Sequence, residues 1–195
     1  MFFKLLLSKR LPFSRALSIL LFTNALVLIA GAMIGPIYAL VVENVGGDLL
    51  DASFAGGVYA IVGGITVFIF GKLSDRIKQS ELVIVAGYLI IALGFFIYIF
   101  VKDMWSLLIA QAIIGFGEAI YSPPFDALYS KHLSAHKAGT QWGAWESMNY
   151  FTIAFGSLLG GFIANRFGFP ILFGIMGAIS LISAVYIYKL PRNVL

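Results

Sequence analysis

Few residues in this 195-residue chain could do chemistry, and those few sit in apolar surroundings. Glu118 falls inside "QAIIGFGEAIYSPP" and Glu146 inside "WGAWESMNY", with Asn149 three residues further on, on a neighbouring face of one helix. Asn24 stands within "LLFTNALVLIA". A charged group at the centre of a membrane helix costs about 2.5–3.5 kcal/mol on insertion scales, so one that persists there implies a partner or a polar cavity. A desolvated carboxyl group binds a proton more readily than one in water. Glu118 and Glu146 are therefore expected to border a polar pathway, with Asn24 and Asn149 along it, and one of the two to exchange protons. The competing expectation is a neutral glutamic acid bonded to a neighbouring helix, or a carboxylate paired with a cytoplasmic base. His132 and His136 have the i, i+4 spacing that holds a metal on a helix, but no cysteine or carboxylate nearby completes a ligand set. No metal, cofactor or catalytic constellation is expected, and the chain does not read as an enzyme.

Such groups need elements to place them, and composition says which. Hydrophobic residues make up 61% of the chain and charged ones 11%, too little polar surface to cover a soluble fold of this size. Cysteine is absent, which removes disulfide and thiol chemistry. Six stretches approach or exceed the roughly 20 apolar residues of a bilayer crossing: 17–42, 54–71, 82–101, 105–127, 141–164 and 169–188. The chain thus reads as an all-α membrane protein forming one six-helix domain. The apolar stretch behind the basic start is too long for a cleavable signal and reads as a retained first helix.

Lys and Arg accumulate on cytoplasmic loops. Eleven fall on the termini and the alternate loops at 72–81 and 128–140, against Lys102 and Arg166 on the others. Both termini are expected to face the cytoplasm, in a multi-pass plasma-membrane protein. The net charge of +4 is then a topology signal with some attraction to anionic lipid, not a nucleic-acid surface.

The loop "GKLSDRIKQS" resembles half of the signature loop of the major facilitator superfamily, with Gly71, Asp75 and Arg76 in place and Gln79–Ser80 where further basic residues are usual. "QAIIGFGEAIYSPP" resembles a fourth-helix element of the same family, with Gly115 and Gly117 matching and Gln111 in the place of an arginine. "AFGSLLGGFIANRFGFPILF" resembles its fifth-helix glycine motif through Gly156, Gly160 and Gly161, with Ser157 replacing a proline. The resemblance implies a cytoplasmic ion-pair latch around Asp75 and Arg76; Asp126, where the fourth span reaches the cytoplasm, is expected either to pair with Arg76 or to be an ordinary interfacial charge. It also implies a small-molecule transporter.

The chain also resembles itself. "GPIYAL" at 35–40 aligns with "PPFDAL" at 123–128, and "GKLSDRI" at 71–77 with "GFIANRF" at 161–167. Three spans separate each pair, which makes a 3+3 inverted repeat. Pro36 and Pro123/Pro124 are accordingly expected to break the first and fourth spans at related places. Gly31/Gly35 and Gly156/Gly160 have the small-xxx-small spacing that lets backbones close up in lipid. Members of the resembled family usually carry two six-helix halves. A parallel homodimer, burying Glu118 and Asn24 at the seam, is therefore expected, or a separately supplied second half. The alternatives are a truncated product or a non-transporting scaffold that keeps the fold.

Overall fold

The computed structural model describes residues 13–191; Lys4, Lys9, Arg10 and Arg192 of the predicted cytoplasmic surface lie outside them. The described residues form α1 (Arg15–Ala32), a 3-10 turn (Gly35–Ile37), α2 (Tyr38–Asn44), α3 (Leu49–Ser74), α4 (Ser80–Tyr98), α5 (Met104–Lys131), α6 (Ala138–Phe167) and α7 (Phe169–Lys189). Counting α1, the turn and α2 as one, six helices are long and apolar enough to cross a membrane. The third ends at Tyr98, three residues before the expected 101, because residues 99–103 turn to reach the cap of α5.

Helix ends are set by caps. Asp48 and Asp103 each accept the backbone N–H three residues on, at 2.9 Å, and start α3 and α5. The Ser106 N–H holds the Asp103 carboxyl below its usual range. At the other corner, α6 meets α7 through Gly168 alone, whose φ of +83° suits glycine and few other residues.

Each span lies beside few others. α3 packs on α5 and α6 on α1; α4 packs on α5 and α7 on α1; α4 and α7 pack on each other. Exchanging the first three spans with the last three leaves these main pairings unchanged, as a 3+3 inverted repeat requires. Glycines make the closest crossings. A Cβ on Gly115 would stand 2.6 Å from the Tyr59 carbonyl oxygen of α3, and one on Gly160 only 1.9 Å from the Met33 carbonyl. Gly156 meets Ile29 and Ala32 in the same way, Gly117 lies against Ile90 and Ile91, and Gly177 lies under the Phe96 ring.

Several sequence expectations need correcting. A Cβ on Gly31, Gly35, Gly71 or Gly161 would meet nothing within 4 Å, so among the described residues no crossing depends on any of these four being glycine. Pro36 does sit at a break, the 3-10 turn that interrupts the first span. Pro123 and Pro124 do not: α5 runs through both. Their missing N–H groups deprive the Ala119 and Ile120 carbonyls of helical donors. Yet both flanks are held, by Gly115 and Gly117 before them and by buried Phe125, Leu128 and Tyr129 after. Around Pro36, Gly31 and Gly35 weaken the helix on the same turn, and it gives way.

Candidate functional site

A cavity of about 500 Å³ opens between α1, α3, α4, α5 and α6, with the broken first span along one wall. Its lining runs from the middle of the spans toward the face opposite Arg15 and Lys189, since it includes Tyr38, Ala52 near the start of α3, and Tyr98 at the end of α4. Gly31, Ala32, Ile34 and Gly35 line it too, which is where the two glycines act: they keep that wall thin. Non-helical backbone at membrane depth is tolerated where it is buried or lines a cavity, and the turn at Gly35–Ile37 meets that condition.

Glu118 is the acidic residue of this lining. It stands near the midpoint of α5, at about 1.5 Å per residue roughly 20 Å from either end. The Tyr59 hydroxyl of α3 donates to its Oε2. Gly115, one turn before Glu118, makes this possible, because only a glycine lets α3 approach closely enough there. Tyr121, one turn after Glu118, lines the same space and stacks edge-on against Tyr88, with ring centroids 4.9 Å apart. Gln111, two turns before Glu118, faces the Tyr38 hydroxyl, whose buried oxygen makes no well-formed hydrogen bond. From the opposite wall α6 contributes Asn149, with Thr152 one turn on.

The other sequence candidates fall elsewhere. Asn24 is 2% exposed in the helix interior, where its Oδ1 accepts from the Tyr88 hydroxyl at 3.3 Å. It neither lines the cavity nor is free to meet a partner seam, since this chain already buries it. Glu146 is exposed about two turns into α6 and does not share the cavity with Glu118. Asp75 caps α3, Arg76 is exposed beside it, and among the described residues neither forms an ion pair with exposed Asp126. His132 directs Nδ1 to the Leu128 carbonyl at 2.9 Å and His136 is exposed, and no metal-holding group of acidic or histidine residues occurs among the described residues. Tyr59 and Tyr38 carried no signal in the sequence; aromatic residues abound in apolar spans, and only the α3–α5 crossing shows which one meets a carboxylate.

Residues 20–194 match the description of the Major Facilitator Superfamily. The chain belongs to that superfamily. As a superfamily member it is an integral membrane protein of a transporter family. It is similar to multidrug resistance protein MdtG of Salmonella typhimurium, 28% identical over 176 residues covering 88% of this chain and 43% of that protein. MdtG of Proteus mirabilis is 27% identical over 86% of this chain and 42% of its own length. The chain thus spans less than half the length of these curated relatives.

Proposed function

We propose that this chain acts as one six-helix half of a secondary transporter, moving a small solute through a pathway of which the cavity is one wall. The observation that carries the reading is Glu118. It is a carboxylate at mid-membrane depth, held by a tyrosine from another span, in a space large enough for a small molecule. The multidrug resistance relatives, more than twice as long, support a transport role and a second unit across the cavity. That unit is a parallel second copy or a separate half; α3 and α6, which carry most of the exposed large apolar side chains on either side of the cavity, would face it. Glu118 is the group that exchanges protons with the pathway; Glu146, outside the cavity, is not required for it. The cytoplasmic latch is completed, in this reading, by residues of the second unit.

Reconstitution into liposomes under an imposed pH gradient tests this. Flux of a solute that responds to the gradient is expected for the unaltered chain. The Glu118→Gln variant should lose the pH-driven flux, and Glu146→Gln should keep it. PH-driven flux that survives Glu118→Gln overturns the assignment.

A further inference from the structure

We infer that the groove between α4 and α7 binds an anionic glycerophospholipid, with an acyl chain in the groove and the phosphate at the Lys189 end. The groove holds about 370 Å³ and is lined by Leu82, Val85, Ala86 and Leu89 of α4 and by Ala184, Val185 and Tyr188 of α7. It shares no residue with the cavity, and α3 and α6, whose exposed apolar faces flank that cavity, contribute nothing to it. The inference therefore stands apart from the transport reading.

The shape fits a chain and not a helix. α4 and α7 touch at Gly177, which lies under the Phe96 ring so closely that a Cβ would stand 2.7 Å from it. Seven residues nearer the Lys189 end on each helix, Leu89 and Ala184 begin the groove, which continues to Leu82 and Tyr188. At about 1.5 Å per residue it runs roughly 10 Å along α4. That lies within the roughly 15 Å of hydrocarbon in one leaflet. A partner helix would need the same face open along the whole span, and the Phe96–Gly177 contact closes it. Lipid tails are apolar everywhere, so hiding a groove from water draws nothing in; van der Waals contact with its walls does, and an empty groove forfeits that contact. Leu89 and Val185, 42% and 40% exposed, present those walls.

Polarity enters at one end. The Tyr188 hydroxyl is the one polar side-chain group among the lining residues, and Tyr188 is 67% exposed. Lys189 follows Val185 by four residues, in the last turn of α7, and so shares the lining face. Lys78 is exposed two residues before α4 begins and four before Leu82. Glu81 is acidic and in the first turn of α4, about a quarter turn off the Leu82–Leu89 face. Asp75 and Arg76, earlier in the same loop, cancel in charge. Two lysines and a hydroxyl at the mouth thus favour a lipid of net negative charge over a zwitterionic one.

Native mass spectrometry of the full-length chain tests this, after release from nanodiscs of equal parts dioleoylphosphatidylglycerol and dioleoylphosphatidylcholine. One lipid is expected to remain bound, the glycerol form about fivefold more often than the choline form. Ala86→Phe fills the groove from an exposed position and should remove the adduct of either lipid. Lys189→Gln should keep an adduct and lose most of the preference. Lys137→Gln, at the turn between α5 and α6, should leave both unchanged. Equal retention of the two lipids by the unaltered chain overturns the inference without recourse to any variant. So does an adduct that survives Ala86→Phe at the unaltered level. A loss of preference as large in Lys137→Gln as in Lys189→Gln reduces the effect to general surface charge and overturns it too.

Discussion

Tyr59 and Glu118 form a side-chain hydrogen bond between two spans at the border of the cavity. A hydrogen bond to a charged group contributes about 1.5–3 kcal/mol, enough to decide which rotamer the glutamate adopts. Tyr59→Phe keeps the ring and the packing but releases the carboxyl. That variant is expected to fold, to melt several degrees lower in detergent, and to be labelled faster at Glu118 by a hydrophobic carbodiimide, read by mass spectrometry. Unchanged labelling would mean the bond does not restrain the carboxyl. At this scale the sequence marks Glu118 and Glu146 alike, and the structure sets Glu118 but not Glu146 in the cavity lining. Both are acids in apolar stretches, and their depth along a helix follows from counting residues. The direction each one faces does not, because lipid and helix interior are both apolar and leave no polar face to read. Asn24 shows the same blindness: its partner, Tyr88, lies 64 residues away in a different span.

Among the elements, glycine crossings do the positioning. Gly160→Ala would push a methyl carbon into the Met33 carbonyl oxygen, and overpacking of this kind costs about 1–3 kcal/mol or more. Gly161, its neighbour, has nothing within 4 Å, so Gly161→Ala is expected to be neutral or to stabilise α6 by up to about 1 kcal/mol. Thermal unfolding followed by size-exclusion chromatography of the detergent-solubilised protein separates the two, and equal loss in both variants would contradict the crossing. The motif in the sequence showed three glycines without ranking them. Their roles part company because α6 turns Gly156 and Gly160 toward α1 while Gly161 looks away. The prolines teach a similar lesson: the residue type was legible, but whether a helix breaks there depends on what grips it on either side.

Over the whole molecule, the six spans and their paired arrangement were the most legible feature, since apolar length and charge distribution survive without knowledge of any contact. What lies across the cavity was not legible, because one chain's sequence says nothing of the surface that closes it. Cysteine is absent from the sequence, which makes the question direct to ask. Ile61 on α3 and Phe155 on α6 are 65% and 60% exposed and stand at comparable distances along their spans. Chains carrying Ile61→Cys and Phe155→Cys together are expected to cross-link in membranes to a species of twice 21.2 kDa. A purely monomeric product under conditions that label both thiols would count against a parallel second copy as the partner. The crossing at Gly160 has a further, genetic consequence. What it presses against is a main-chain oxygen, which every amino acid at position 33 retains, so a defect there has no second-site revertant at the facing residue. Gly177 differs: it rests under the ring of Phe96, and a smaller side chain at 96 can restore what a larger one at 177 takes away.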